Sequence, residues 1–511
     1  MPELKPWQRP RQLLRQLTKP SATKLSGFSG KLTTWQLTAG SAAFGLVIAA
    51  GAVAAAGPWD SSGQRTAERD RAASQEAWGG ADHAGRTPGR APEAAPSAPS
   101  VLAGLGAPAG VAPAPTDSAL AEVLDPLLKD PALGPERSAV VLDAASGKQI
   151  YGKGGGEGLT PASTIKIATA VATLSAVGPD HRIATKTVIE PDSSDVVLVG
   201  GGDPTLTARK DGRYTDTAAS LRTLAEDTAR SLKSRDIDEV KLSYDTSLYS
   251  GPAQHPIGPN ENITPVSALM ADEGRLDDSS SGPAPRSGDP AGEAAKKFAG
   301  FLADEGIKTK PSKSAPTPSK ASDRAESLAK VESPPLSALV ERMLTHSDND
   351  IAEALARQAA VAAKEPVSFD GAGKAVRAAL DKQGLPLSGA KFADGSGLDR
   401  ADRISAELLA ALLDHAADPG RPELRSVVTG LPVAGFTGTL VDRYPKDSPG
   451  TGVVRAKTGT LTGVNSLAGT VVDADGRLLL FAFMTTGTTD PQSAQKALDH
   501  MASTVANCGC R

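Results

Sequence analysis

Aromatic residues make up only 4% of the 511-residue chain, and cysteine occurs twice, at Cys508 and Cys510. Two cysteines cannot supply the four ligands of a structural zinc site. The six histidines are scattered, and no His-Glu-x-x-His string joins them, so a metalloprotease has no support. Gly154-Gly155-Gly156 is not followed by Gly-Lys-Ser/Thr, which excludes a phosphate loop. No cofactor motif and no metal-ligand spacing stand out, and none is expected. A large excess of charge is also missing. The formal net charge is −4, which gives nucleic acid no basic surface to meet. Both cysteines lie at the extreme C-terminus, where a frayed tail is expected.

Apolar runs are scarce except at the start. Lys5, Arg9, Arg11, Arg15, Lys19, Lys24 and Lys31 precede an uncharged stretch from Leu37 to Ala56. Roughly 20 residues are enough to cross a ~30 Å hydrocarbon core. The basic flank assigns residues 1–34 to a cytoplasmic tail, 35–58 to a signal-anchor or a cleaved signal peptide, and the remainder to the outside. Residues 59–118 are Pro, Ala, Gly, Ser and charge without apolar periodicity, which predicts a disordered spacer.

Folded structure is expected from about Ala119. "SAVVLDAASGKQIYG" reads as strand, turn and strand, and "TPASTIKIATAVATLSAVG" as a helix with Ser or Thr at its N-cap. From about Thr185 to Pro335 the pattern mixes strands with a helix over "TDTAASLRTLAEDTARSLKSRDI". Residues 277–292 and 308–327 are polar and are expected as loops. More helices follow Pro335. The end alternates like antiparallel sheet, with Asp475-Gly476 as a hairpin turn, and closes on a helix from about Pro491.

Three polar clusters carry chemistry. Ser163-Thr164-Ile165-Lys166 places a hydroxyl and an amine one helical turn apart, so a lysine made neutral by burial or by another cation is placed to deprotonate the serine. Alone this spacing is weak, since Ser21-Ala22-Thr23-Lys24 and Ser327-Leu328-Ala329-Lys330 share it. Ser347-Asp348-Asn349 follows a helix. If the turn is locally extended, its hydroxyl and amide share a cleft, and the amide grips a substrate peptide group in both directions. Lys457-Thr458-Gly459-Thr460 lies in a predicted strand. A missing side chain at Gly459 admits another backbone, which suits an extended peptide, and Lys457 supplies a cation that lowers the pKa of Lys166.

The order Ser-x-x-Lys, Ser-Asp-Asn, Lys-Thr-Gly is that of penicillin-binding proteins and class A β-lactamases. "LTPASTIKIATA", "LVGGGDPTL", "PVSALMADEGR", "FADGSGLDR", "LPVAGFTGTLVDR" and "RAKTGTLTGVNSLAGTV" extend the likeness over about residues 119–507. The chain resembles the D-Ala-D-Ala carboxypeptidase/endopeptidase family S13 of low-molecular-weight penicillin-binding proteins. The resemblance implies an α/β (α+β) fold of the serine β-lactamase/DD-peptidase type, an antiparallel sheet flanked by helices. The catalytic domain would comprise residues 119–184 and 336–507, with a mixed α/β domain inserted at 185–335.

It also implies the roles. Ser163 would attack the bond between two D-alanines of a peptidoglycan stem, with Lys166 as base and Ser347 relaying the proton. Asn349, Lys457, Thr458, Gly459 and Thr460 would bind substrate, and the N–H groups of Ser163 and Thr460 would form the oxyanion hole. β-Lactams would stall the acyl-enzyme. The family's Trp-rich stretch with an Asp, which reads the stem's diamino acid, is replaced by "AQHPIGPNENIT", where Glu261 is the available acid. A β-lactamase and a non-catalytic penicillin-binding sensor are the alternatives. The first lacks a Glu-x-x-x-Asn string between Asn349 and Lys457; the second conflicts with the intact Ser163, Lys166, Ser347 and Lys457.

Overall fold

A computed structural model describes residues 113–210, 218–310 and 316–509. The basic tail, the apolar stretch and most of the spacer lie outside the described residues, as does Cys510. Among the described residues no helix is long and apolar enough to cross a membrane.

The chain starts with α1 (Asp117–Leu128), capped by Thr116, two residues before the expected start. Next come β1 (Glu136–Asp143), β2 (Lys148–Lys153) and α2 (Lys166–Val177). Then follow β3 (Ala184–Ile189), β4 (Asp195–Val199), α3 (Leu221–Lys233), β5 (Glu239–Asp245) and α4 (Pro290–Asp304). The short strands β6 (Lys308–Lys310) and β7 (Thr317–Pro318) precede β8 (Glu326–Glu332). Five helices come after: α5 (Leu336–His346), α6 (Asn349–Ala363), α7 (Phe369–Lys382), α8 (Ala406–Ala417) and α9 (Arg425–Thr429). The chain closes on β9 (Val454–Leu461), β10 (Val464–Val472), β11 (Leu478–Thr486) and α10 (Pro491–Ala506).

One sheet has the order β2-β1-β11-β10-β9 and is antiparallel throughout. Both of its faces are covered, so its strands are apolar on alternate sides rather than half polar. Val140, Leu142, Leu480, Ala482 and Met484 face a core shared with α2, α5, α6, α7 and α8. Ala139, Val141, Leu479, Phe481 and Phe483 face a second core closed by α1 and α10. Both ends of the described chain therefore seal the same sheet. Cys508 belongs to that second core at 4% exposure, so the expected fraying does not reach it.

The other sheet runs β6-β5-β4-β3-β8, with β7 also on β5. It is mixed: β3 pairs antiparallel with β4 and β8, while β5 pairs parallel with β4, β6 and β7. Its apolar face packs on α3 and α4. Residues 184–332 supply all its strands.

Two expected loops contain regular structure. Asp289 Oδ1 accepts from Gly292 N at 2.9 Å and starts α4 at Pro290, inside the stretch read as a loop. Within 308–327, β6 and β7 pair with β5, and β8 begins at Glu326. Their side chains are largely solvent-facing, so no apolar period marked them.

Candidate active site

The turn carrying Ser163 is a 3₁₀ turn over Ala162–Ile165, and α2 begins only at Lys166. The expected Ser/Thr N-cap is not used. Pro161 leads into the turn, and Thr164 Oγ1 donates to Pro161 O at 2.8 Å instead. Ala162 sits in the left-handed region at φ 49°, a strained position for a residue with a Cβ. Gly397 lies against it; a Cβ there would come 2.0 Å from Ala162 O.

α2 is buried on all sides from Lys166 to Leu174, and Lys166 itself is fully buried. Its Nζ donates to Ser163 Oγ at 3.0 Å, to Asn349 Oδ1 at 2.7 Å and to Ser396 O at 2.5 Å. Burial lowers its pKa to about 8, against the opposing pull of Asp394, Asp348, Glu353 and Asp402. Of the two causes open from the sequence, burial and a neighbouring cation, burial therefore leads the depression.

Ser347-Asp348-Asn349 is a helix junction made of two caps back to back. Ser347 ends α5 in the left-handed conformation at φ 58°. Asp348 is extended and caps α6, its Oδ1 accepting from Ile351 N at 3.0 Å, and Asn349 is the first residue of α6. Only Asp348 is extended, not the whole turn, because two helix ends must be closed within three residues. Ser347 and Asn349 nonetheless line one cleft. Asn349 does not face a substrate in both directions: Oδ1 accepts from Lys166 and Nδ2 donates to Asn262 O at 3.0 Å. One N–H remains for a ligand.

On β9, Lys457 is fully buried, and its Nζ donates to Ser347 Oγ at 2.9 Å and to Thr458 O at 2.7 Å. Burial, then the charge of Lys166, pushes its pKa well down. Thr458 Oγ1 shares a hydrogen bond with Thr439 Oγ1 at 2.9 Å, and exposed Thr460 accepts from Gln495 Nε2 at 3.3 Å. Gly459 was expected to make room for a bound peptide. The backbone that comes close is the chain's own: a Cβ would meet Ser466 Oγ at 2.1 Å and Pro161 O at 2.6 Å. The missing side chain lets the Ser163 turn seat on the sheet.

These groups converge on a cavity of about 520 Å³ lined by Ser163, Ser347, Asn349, Thr458, Thr460 and Arg443. A larger cavity of about 730 Å³, beside Tyr444 and His500, contains none of the three clusters. Ser396, Asn262, Thr439 and Gln495 are cleft-building residues without a sequence-derived role. The signal for Ser396 was "FADGSGLDR". Asp394 there accepts from Ser396 N, Gly397 N and Asp399 N and folds the loop that aims the Ser396 carbonyl at Lys166. Glu261 is exposed, and its neighbour Asn262 is the one on the cleft.

The D-Ala-D-Ala carboxypeptidase 3 (S13) family profile matches residues 120–288 and 279–507. The chain belongs to this family. As an S13 enzyme it is a serine D-alanyl-D-alanine carboxypeptidase that acts on peptidoglycan stem peptides. It is 35% identical over 433 residues to Carboxypeptidase Rv3627c of Mycobacterium tuberculosis, covering 82% of this chain and 91% of that one. It is 36% identical over 410 residues to Carboxypeptidase DacB of Mycolicibacterium smegmatis, covering 78% and 86%. The crystal structure of penicillin binding protein 4 (dacB) from Haemophilus influenzae superposes with a TM-score of 0.59 at 22% identity, over 75% of this S13 chain and 98% of that one. That likeness shows the fold, the α/β type expected from the sequence.

Proposed function

We propose that Ser163 is the nucleophile of this carboxypeptidase and that the three clusters divide one acyl transfer between them. The observation that carries the reading is the 3.0 Å contact between Lys166 Nζ and Ser163 Oγ, in a cleft that also holds the Ser347–Lys457 pair. A neutral Lys166 takes the Ser163 proton as Oγ attacks the carbonyl between two D-alanines. The backbone N–H groups of Ser163 and Thr460 receive the oxyanion. Ser347, hydrogen-bonded to Lys457, hands a proton to the leaving D-alanine. The remaining N–H of Asn349 donates to the stem, and Lys457 with Thr458 holds the terminal carboxylate. Gly459 serves by packing.

Water then frees the shortened stem. β-Lactams occupy the same cleft and remain on Ser163. A β-lactam complex of the Haemophilus protein, superposing with a TM-score of 0.56, is in keeping with this.

In this reading residues 119–184 and 336–507 form the catalytic domain around the antiparallel sheet, and 185–335 form the insertion. Residues 35–58 hold the enzyme at the outer face of the cell membrane, and 59–118 let it reach the wall. The test is release of D-alanine from a stem pentapeptide by the full chain. Ser163→Ala is expected to lower the rate by about 10³-fold or more, whereas an unchanged rate rejects Ser163 as nucleophile.

A further inference from the structure

Beneath the Ser-Asp-Asn turn lies a buried acidic cluster that the reaction does not use directly. Glu273, Asp348 and Asp350 are at most 6% exposed, and their carboxyl oxygens lie within 4.8 Å of one another. Glu273 comes from the "PVSALMADEGR" segment, to which the sequence gave no role. It is carried on a left-handed turn in which Asp272, Glu273 and Gly274 have φ of 55°, 53° and 61°. Two consecutive residues with a Cβ in that region are strained, so other contacts must hold them. Thr264 Oγ1 and Arg286 Nη1 do so, donating to Glu273 O at 2.6 and 2.8 Å.

The cluster has an internal order. Arg275 Nε donates to Glu273 Oε2 at 2.8 Å, and Arg286 pairs with Asp350 at 2.9 Å. Thr264 N donates to Asp350 Oδ1, and Ile351 N to Asp348 Oδ1. Glu273 Oε1 is buried and meets no N–H donor; the group facing it is Asp348. Two ionised oxygens cannot face each other away from water, so one proton lies between them. Burial, then the charges of Asp348 and Asp350, drives the Glu273 pKa well up. Burial also pushes Asp348 up, but the hydrogen bond from Glu273 and the Ile351 N–H bring it below its ordinary value. The charged and titratable groups facing the pair are Asp350 and Arg275, Arg342 and His346 from α5, and Lys166 from α2, with Arg286 paired to Asp350.

We propose that Glu273, sharing one proton with the Asp348 carboxyl, is the positioning residue that fixes the Ser347 hydroxyl and Asn349 amide. The inference rests on the reading of Ser347 as proton relay. Asp348 sits between the two working residues and is extended while Ser347 is left-handed, so its carboxyl is the handle by which the segment at residues 264–286 grips the turn.

The test is the rate of acylation by a fluorescent penicillin, measured on the full chain against pH for wild type, E273A, E273Q, E273D and S347A. E273A is expected to slow acylation by about 10²-fold with little change in non-covalent affinity, the cost of a misplaced relay. E273Q donates to Asp348 through its amide and is expected to restore the rate to within about threefold, well inside one tenfold step of 1.4 kcal/mol. Wild type should lose activity at high pH as the shared proton leaves, and E273Q should lose it later. EDTA should leave the wild-type rate unchanged; a loss would put a cation between the carboxyls and overturn the proposal.

Acylation by folded E273A within about threefold of wild type would also overturn it, since misplacement should cost far more. If E273A does not fold, E273D decides, because its acid falls short of Asp348. Equal rates for E273D and E273Q overturn the idea. A slow S347A beside a fast E273A rejects this proposal alone, while wild-type rates for both reject the relay reading with it.

Discussion

At the scale of single residues, the base is made by burial. Lys166 has three hydrogen-bond acceptors and no solvent, and it titrates near pH 8 instead of 10.5. Only its neutral form can accept the Ser163 proton. Below about pH 8 the ammonium dominates, so kcat/KM should fall about tenfold per pH unit on the acid side and level off above, until the proton shared by Glu273 and Asp348 leaves at higher pH. A pH profile of D-alanine release checks this; a rate still climbing towards the ordinary lysine value would contradict it. The spacing of Ser163 and Lys166 was legible in the sequence because i and i+3 share a helix face. The groups that enclose the amine were not. Ser396 O and Asn349 Oδ1, its other two acceptors, are 230 and 183 residues away along the chain. No local pattern marks a carbonyl as a ligand.

At the scale of elements, the site is a seam between the start of α2, the α5–α6 junction and β9. Gly459 closes that seam. Gly459→Ala would drive a methyl into Pro161 O and Ser466 Oγ, displacing the Ser163 turn. Urea unfolding should show a loss of about 1–3 kcal/mol, and penicillin acylation should slow with it. Unchanged stability and acylation would show that the turn does not rest on this strand. The sequence marked Gly459 as unusual in a strand, yet assigned the space to a ligand, because a glycine reports that something approaches and not what. The hydrophobic periods located α2, α5, α6 and β9 to β11. They missed β6 and β7, whose exposed edge pairing leaves no apolar trace.

At the scale of the whole molecule, one sheet gathers clusters that lie hundreds of residues apart. β1 enters it before the segment of residues 184–332, and β9 to β11 complete it afterwards. That excursion supplies its own sheet and returns Asn262, Glu273, Arg275 and Arg286 to the cleft region. The chemistry was readable because its three motifs keep their order. The wall contributed by residues 260–286 was not, since its groups act by packing against the turn. The most direct test of convergence on one hydroxyl is mass spectrometry of the proteolysed chain after reaction with a penicillin. A single adduct on the fragment containing Ser163 is predicted. An adduct on any other fragment, or none on a folded enzyme that releases D-alanine, would contradict the account.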